Sequence, residues 1–386
     1  MGLRPALRGI RKCCTAAAIL LAVCLCGCSS LLWYPQEGTQ NEQYHASQPP
    51  SAPEPVERIS LDKYAYRQLD ESTQAVYDEV LDTILEHKDK ITVSTLDAHV
   101  LEQAFHSVRA DYGGLFWIDG YTYTEYLSGI RVTGLEFAPQ YTMSREEREE
   151  LQQAVDTAAE QMLGGISSED ADYQKARFVY DTLINTVEYN PGAANSQNIL
   201  SVFLDKETVC QGYACAVQYL FDRLGIPCVV VTGTADSQAH AWNLVMLDGN
   251  YYYMDVTWGN SRYQNGENGG RRYINYSYFA MTSEELFRTH EPDSFLQLPE
   301  CTQQEDSYFV QEGHYFTDWY PQEIGYVLSN LKDGIVQIKF ADEALYRQAQ
   351  EYFIEQQKIR DYYTMGNSFY YMTDDELCVL TFLTEL

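Results

Sequence analysis

The stretch of sequence from Thr208 to Trp258 decides the fold. It begins with T-V-C-Q-G-Y-A-C-A-V-Q-Y-L-F-D-R-L-G at residues 208–225 and ends with H-A-W-N-L-V-M-L-D-G-N-Y-Y-Y-M-D-V-T-W at residues 240–258. The first part has apolar residues at helical spacing, whereas the second has two strand-like runs around an Asp-Gly pair. The stretch therefore predicts a helix that begins near a cysteine, followed by a hairpin that carries a histidine and an aspartate.

The predicted helix has start and stop signals as well as an apolar face. Thr208 and Gln211 have the spacing of a capping box, which predicts Thr208 as the N-cap. Gly225 followed by Pro227 predicts the end of the helix. Cys210 therefore lies in the first turn, where backbone N–H groups and the helix dipole favour a thiolate. The buried face is predicted to consist of Ala214, Val217, Leu220, Phe221 and Leu224.

The Asp-Gly pair at residues 248–249 predicts a two-residue turn between two strands. In that register His240 lies opposite Thr257, and Asp255 is a diagonal neighbour on the same face, roughly 7–8 Å away. A histidine–carboxylate hydrogen bond can span such a diagonal. A three-residue turn would place Asp255 on the opposite face, so the register decides whether the two side chains can meet.

Cys210, His240 and Asp255 are thus predicted to act as nucleophile, base and orienting carboxylate. Each residue alone has a simpler interpretation, since a cysteine in an amphipathic helix is usually a small core residue and a strand histidine is usually a satisfied core group. The helix N-terminus and the shared hairpin face together favour the catalytic interpretation.

The chemistry of such a triad is acyl transfer. Thiolate attack on an amide carbonyl gives a thioester, and His240 protonates the departing amine or ammonia. The backbone N–H of Cys210 is predicted to donate to the developing oxyanion. Gln211 and Trp242 are the candidate substrate-binding residues, because either could supply a second donor.

Four motifs occur in a fixed order between residues 209 and 258: V-C-Q-G-Y-A, L-G-I-P, H-A-W-N and D-G-x-x-Y-Y-M-D-V-T-W. Together they resemble the transglutaminase-like cysteine superfamily, and they are most similar to the bacterial branch that shares this domain with a fungal cytokinesis protein. The resemblance covers residues 171–258. It implies an α+β, papain-like core, in which a helix bearing the cysteine packs on an antiparallel sheet bearing the histidine and the aspartate. It also implies Cys210, His240 and Asp255 as the triad.

Two residues depart from the pattern of that family. Thr208 stands where a glycine is expected two residues before the nucleophile, and as a predicted N-cap it is tolerated there. Cys215 is an additional thiol one helical turn beyond the nucleophile, and we interpret it as a small core residue.

The acceptor of the acyl group determines the reaction. Water makes the protein a peptidase or amidase, whereas a lysine amine makes it a crosslinking transglutaminase. We favour hydrolysis, because prokaryotic members of the resembled family are more often hydrolytic. A different class of function is a non-enzymatic surface binding module with a degenerate site, but the intact triad argues against it.

The first residues are predicted to be a targeting signal. Basic residues precede an apolar segment, Thr15–Gly27, that is too short to span a bilayer comfortably. The sequence L-C-G-C-S-S at residues 25–30 resembles a bacterial lipobox, which implies that Cys28 is lipidated and that residues 1–28 are a signal peptide. An ordinary secretory signal or an uncleaved anchor is the alternative. Residues 29–57 are predicted to be a disordered tether, because they are rich in Gln, Ser, Glu and Pro.

The remaining chain is predicted to contain three parts. Residues 58–165 form an N-terminal helical and mixed extension, residues 166–300 form the catalytic domain, and residues 305–386 form a small α+β accessory domain. Together with the signal, this organisation predicts a protein held on the outer face of a bacterial cell membrane by its lipid anchor only.

Charge and cysteine content limit the partners. The formal net charge of −30 argues against binding to nucleic acid. The five cysteines beyond the signal region show no C-x-x-C pair and no metal-ligand spacing, so neither a metal nor another cofactor is predicted. The predicted partner is a protein or peptide substrate, such as the peptide part of the cell wall.

Overall fold

The computed structural model of the 386-residue chain describes residues 62–263, 271–362 and 369–384. It also describes three short strands, β1 (Ile10–Arg11), β2 (Ala18–Ile19) and β3 (Glu42–Tyr44). Cys28, the predicted site of lipidation, lies outside the described residues, as do most of the predicted signal peptide and tether. Within the described ranges, no helix combines the length and the apolar character needed to cross a bilayer.

The described chain divides into two compact units. The first unit contains β3 together with residues 62–257 and 289–300, and the second contains β1 and β2 together with the described residues of the ranges 258–288 and 301–384. Both units mix helices with sheets, so the predicted α+β class is confirmed.

The first unit contains five helices of two turns or more among its described residues. Asp70, Asp97 and Ser144 cap the first three by accepting backbone N–H groups of the first turn. The five helices are α1 (Glu71–Leu85), α2 (Ala98–Asp111), α3 (Arg145–Met162), α4 (Asp172–Thr186) and α5 (Cys210–Leu224).

Two four-stranded sheets and one short strand pair complete the described part of the first unit. The sheet of order β3-β5-β6-β4 is built on the long antiparallel pair β5–β6, and the sheet of order β11-β10-β9-β14 is antiparallel throughout. The strand bounds are β4 (Ile91–Thr92), β5 (Ile118–Ser128), β6 (Arg131–Tyr141), β7 (Glu188–Tyr189), β8 (Glu207–Thr208), β9 (Cys228–Ala235), β10 (Gln238–Leu247), β11 (Asn250–Met254) and β14 (His290–Pro292). The strands β7 and β8 pair in parallel.

Helix α5 is the central helix of this unit. It packs against β9 and β10 on one side and against α4 on another. Nearly all of its side chains are buried, and Gly225 ends it in the left-handed conformation (φ 72°) that glycine adopts without strain. The predicted helix and its predicted stop at Gly225 are confirmed.

The β10–β11 hairpin has the predicted register. Leu247 pairs with Asn250, and both turn residues, Asp248 (φ 45°) and Gly249 (φ 84°), have positive φ, as a type I′ turn requires.

The predicted pairing of His240 with Thr257 is wrong. Strand β11 ends at Met254, and a single helical turn, α6 (Val256–Gly259), follows. Asp255 is the first residue beyond the ladder, and its carboxylate contacts His240 and His290, as described below.

The N-terminal part of the first unit packs directly on α5. A Cβ atom at Gly113 would lie 2.8 Å from the backbone of Cys215, and one at Gly114 would lie 2.6 Å from the ring of Tyr219. Gln218 accepts a hydrogen bond from the backbone N–H of Gly113 at 2.9 Å. The turn after α2 therefore fits against α5 only because its two residues lack side chains.

A buried carboxylate secures the same turn. Asp111 is completely buried and accepts hydrogen bonds from the backbone N–H groups of Ala65 and Tyr66, both at 2.9 Å, and from the Tyr77 hydroxyl at 3.0 Å. Burial raises the pKa of Asp111 to about 6, and these hydrogen bonds, with the charge of Lys63, offset the effect of burial only in part.

The second unit is organised around a sheet of order β15-β16-β18-β17, in which β15 runs parallel to β16 and the other pairs are antiparallel. Near its start, Ser307 caps a one-turn helix. The elements are β12 (Asn260–Tyr263), β13 (Arg271–Ile274), α7 (Ser283–Leu286), α8 (Tyr308–Gln311), β15 (Tyr315–Phe316), α9 (Pro321–Ser329), β16 (Ile335–Phe340), α10 (Glu343–Ala349), β17 (Phe369–Asp374) and β18 (Val379–Thr384).

The raised pKa of Asp111 generates a prediction about stability. A carboxyl whose pKa is higher in the folded than in the unfolded chain stabilises the fold only while it is protonated, so this contribution is lost as the pH rises through about 6. The rise from 3.8 to about 6 corresponds to a contribution on the order of 3 kcal/mol. We expect Asp111→Asn, which cannot ionise, to lose this part of the pH dependence of the urea-unfolding free energy between pH 4 and pH 7.

The exposed N-cap residue Asp97 offers a matched control. Asp97→Asn makes the same change in net charge at the surface and so separates the effect of burial from that of charge number. Equal pH dependence in the wild type and Asp111→Asn would contradict the prediction.

Candidate active site

Cys210 is the first residue of α5, and its side chain is completely buried. The N-cap is Val209, and no described side chain caps this helix, so the predicted capping box of Thr208 and Gln211 is wrong. A helix N-terminus without a side-chain cap leaves its dipole and first-turn N–H groups to act on the residue placed there. Cys210 is that residue.

Thr208 has a different role, which explains why it tolerates this position. It lies in β8, and its hydroxyl forms hydrogen bonds with the Ser201 hydroxyl at 2.6 Å and the Ser196 carbonyl at 3.2 Å. A Cβ atom at Gly212 would lie 1.9 Å from the Thr208 Oγ1 atom and 2.9 Å from the Ser196 carbonyl oxygen. The first turn of α5 therefore sits directly on the Thr208 hydroxyl, and only glycine fits at position 212.

Two hydrogen bonds fix the direction of β10 along α5. The backbone N–H of Met246 donates to the Pro227 carbonyl, just beyond the end of α5, at 2.9 Å. The Asn243 side chain donates to the Ala214 carbonyl, one turn after the start of α5, also at 2.9 Å. Going back along β10 therefore leads toward the N-terminus of α5, so the histidine of β10 and the cysteine of α5 lie at the same end.

His240 and Asp255 form a buried pair. The Nε2 atom of His240 lies 2.7 Å from Oδ2 of Asp255, and the two residues are 5% and 1% exposed. Burial by itself would raise the pKa of Asp255, but the charge of His240 and the hydrogen bonds from both neighbouring histidines hold this pKa well below its ordinary value. Asp255 is therefore ionised at neutral pH, and because it contacts Nε2, proton transfer between His240 and Cys210 would use Nδ1.

A second histidine, His290, contacts the same carboxylate and was not identified from the sequence. Its Nε2 atom lies 3.2 Å from Oδ2 of Asp255, and its Nδ1 atom lies 2.8 Å from the hydroxyl of Thr289. The rings of His290 and His240 have centroids 5.4 Å apart. No motif surrounds His290 in the sequence, and its strand, β14, has only three residues, so no local signal could have indicated this contact.

Gly233 allows β14 to approach. In β9 it pairs with His240 on one side and with Pro292 on the other. A Cβ atom at Gly233 would lie 2.1 Å from the Glu291 carbonyl oxygen and 2.9 Å from the Trp242 ring. The missing side chain thus makes room for the aromatic rings that meet across β9.

Trp242 and Gln211, the two candidates for a second oxyanion donor, differ in their contacts. The Trp242 ring lies against His240, with centroids 6.0 Å apart, and its indole N–H is buried without a partner among the described residues. The amide N–H of Gln211 donates to the Cys215 sulfur at 3.3 Å. Because a buried donor without a partner is costly unless a ligand accepts from it, Trp242 is the better candidate.

The atoms of His240, Asp255 and His290 that could coordinate a metal all lie within 4.8 Å of one another, and they form the one such group found among the described residues. These atoms already satisfy one another by hydrogen bonding. A metal ion bound here would have to displace both histidine–carboxylate hydrogen bonds.

The contact between Gly212 and Thr208 generates a prediction. Gly212→Ala should displace the first turn of α5, lower the alkylation rate of Cys210 at least tenfold and destabilise the fold by about 1–3 kcal/mol, the usual cost of overpacking. Thr208→Ala in the Gly212→Ala background removes the nearest clashing atom and should recover part of both losses. Thermal unfolding and iodoacetamide labelling measure the two effects. If Gly212→Ala has the alkylation rate and the thermal stability of the wild type, the first turn of α5 can accommodate a Cβ atom at residue 212 and the prediction is wrong.

Comparison with known proteins extends these observations. Residues 157–256, which include all three triad positions, match the family model described as the transglutaminase-like superfamily. Kyphoscoliosis peptidase of Mus musculus is 23% identical over 167 residues, or 38% of this chain and 25% of the relative. The chain thus spans about a quarter of the length of this relative.

Solved structures that resemble part of the chain include a TGase, with 12% identity, a TM-score of 0.26 and coverage of 41% of this chain and 47% of the other. A candidate cysteine protease from Cytophaga hutchinsonii has 18% identity, a TM-score of 0.24 and coverage of 36% and 62%. Residues 157–256, with the Cys-bearing helix packed on the antiparallel sheet that carries His240, belong to the transglutaminase-like superfamily.

Proposed function

We propose that the chain is a cysteine enzyme that acts on amide bonds of proteins or peptides, with Cys210 as nucleophile, His240 as acid and base, and Asp255 as the orienting carboxylate. The observation that carries this proposal is the 2.7 Å contact between His240 and Asp255 at the end of the sheet that faces the N-terminus of α5. A buried carboxylate that fixes an imidazole beside a helix-terminal cysteine is the arrangement that activates a thiol.

The reaction begins with proton transfer from the Cys210 thiol to Nδ1 of His240. The thiolate then attacks the amide carbon, a C–S bond forms, and the carbonyl oxygen becomes an oxyanion that accepts from the backbone N–H of Cys210 and from the indole N–H of Trp242. The proton on His240 passes to the amide nitrogen as the C–N bond breaks, so the amine leaves and a thioester remains. Water, deprotonated by His240, then attacks the thioester carbon; the C–S bond breaks, the carboxylic acid is released, and the proton on His240 returns to the Cys210 thiolate.

Hydrolysis is the proposed outcome, and transfer of the acyl group to a lysine amine is the alternative. Both share the thioester, so they differ only in the nucleophile that attacks it. The Cys28 lipobox supports a place for this chemistry on the outer face of a bacterial membrane, where proteins and the peptide part of the cell wall are the substrates within reach. The net charge of −30 favours neutral or cationic substrate segments and disfavours nucleic acid.

The first test needs no substrate. We expect iodoacetamide to alkylate Cys210 with a pH midpoint below the value of about 8.5 for a free thiol, because the imidazolium of His240 stabilises the thiolate. His240→Ala and Asp255→Asn should move the midpoint upward. Mass spectrometry resolves Cys210 from the two internal controls, Cys215 and Cys228, whose pKa values are raised by burial. A Cys210 that titrates like an ordinary thiol would favour a binding module instead.

The second test identifies the reaction. Labelled casein reports hydrolysis through the release of small peptides, and incorporation of a fluorescent primary amine into casein reports transamidation. We expect peptide release, its complete loss in Cys210→Ala and a decrease of roughly 10²–10⁴-fold in His240→Ala. Cys215→Ala, one turn further along the same helix, is the matched control and should stay active. Amine incorporation without peptide release would identify the crosslinking alternative.

A further inference from the structure

Asp255 receives two histidines, whereas the proposed mechanism uses only one. Oδ2 of Asp255 lies 2.7 Å from Nε2 of His240 and 3.2 Å from Nε2 of His290. A carboxylate oxygen held by one donor can still shift around that donor, whereas two donors that converge on one oxygen from different strands restrict its position and so orient the carboxylate. The hydrogen bond from His290 therefore affects how well Asp255 can orient His240.

The other neighbour of His290, Thr289, bears on which ring nitrogen carries a proton. Its Nδ1 atom lies 2.8 Å from the hydroxyl of Thr289, which can donate to that nitrogen. If Nδ1 accepts, the neutral ring carries its proton on Nε2 and donates it to Asp255. Thr289 thus selects the tautomer that the carboxylate requires.

His290 is buried and reaches Asp255 from a different strand than His240 does. His290 is only 3% exposed, and it reaches Asp255 from β14, two strands away from the strand of His240. Strand β14, which carries His290, packs closely on β9 at Gly233, where a Cβ atom would lie 2.1 Å from the Glu291 carbonyl oxygen. Two titratable groups, Asp255 and His240, lie beside His290.

We propose that His290 is a positioning residue, which holds the Asp255 carboxylate in the orientation that serves His240. This inference rests on the proposed function, since it gives His290 a role through Asp255 and His240 rather than on the substrate. His290 lies outside the residues that match the family model, which end at residue 256.

The role predicts a defined direction of change. Without the His290 donor, Asp255 keeps its charge but loses its fixed orientation, so it stabilises the imidazolium of His240 less well. The thiolate of Cys210 then becomes less favourable. Loss of His290 should therefore act in the same direction as Asp255→Asn, and with a smaller amplitude.

His290→Met and His290→Gln form a matched pair for the test. The two side chains have the same length, but only glutamine places an N–H donor where Nε2 of histidine lies. The measurement is the pH profile of Cys210 alkylation by iodoacetamide in the full-length protein, with thermal unfolding followed in parallel. We expect His290→Met to lower the alkylation rate near neutral pH about tenfold, the equivalent of ~1.4 kcal/mol, and to move the midpoint upward. His290→Gln should restore the wild-type midpoint.

A third variant keeps the test informative if His290→Met does not fold. Thr289→Val leaves the ring in place but removes the hydroxyl that selects its tautomer, and it should move the midpoint upward by less than Asp255→Asn does. A role in packing alone would lower the thermal stability of His290→Met without moving the midpoint, and that result overturns the inference. Equal shifts in His290→Met and His290→Gln also overturn it, because the donor would then be irrelevant.

Failure of the proposed function gives a different pattern. In that case the wild-type profile itself has the midpoint of an ordinary thiol, and Asp255→Asn does not change it. A shifted wild-type midpoint that responds to Asp255→Asn but not to His290→Met or Thr289→Val leaves the proposed function standing and removes only the role of His290.

Discussion

The buried negative charge of Asp255 is the constraint on which the rest of the site depends. An ionised carboxylate that is 1% exposed is tolerated only if donors replace the water it has lost. The donors described are His240 of β10 and His290 of β14. Meeting this requirement ends the β11 ladder at Met254, brings a three-residue strand to the edge of the sheet and requires glycine at position 233.

The first turn of α5 meets a second constraint, which is steric. Cys210 is the first residue of this helix, and this end of the helix rests on the hydroxyl of Thr208, which in turn forms hydrogen bonds with the Ser201 hydroxyl and the Ser196 carbonyl. Thr208 therefore contacts the first turn of α5 through van der Waals packing against Gly212. A capping threonine would instead accept a hydrogen bond from a backbone N–H group of that turn. The contrast with Thr282 is instructive, because that residue has the same spacing to a polar partner and does form a complete capping box.

The sequence predicted those features of the structure that depend on interactions between residues close together in the chain. The helix over residues 210–224, its stop at Gly225 and the turn at residues 248–249 follow from periodicity, from glycine and from turn chemistry, and each is confirmed. The sequence could not predict the end of β11 or the contact of His290 with Asp255, because both depend on a strand that comes 35 residues later and carries no motif. The cap at Thr208 failed for a related reason, since tertiary contacts with residues 196 and 201 outweigh a favourable local pattern.

The complete burial of Cys210 has a consequence for its chemical lifetime. A thiolate is the form of cysteine that peroxides convert to sulfenic acid and then to irreversibly oxidised acids. In this fold Cys210 is 0% exposed, so an oxidant, like the proposed substrate, reaches the sulfur only when the structure around it opens. Burial therefore protects the proposed nucleophile from oxidation except in the open state in which it would also react with a substrate.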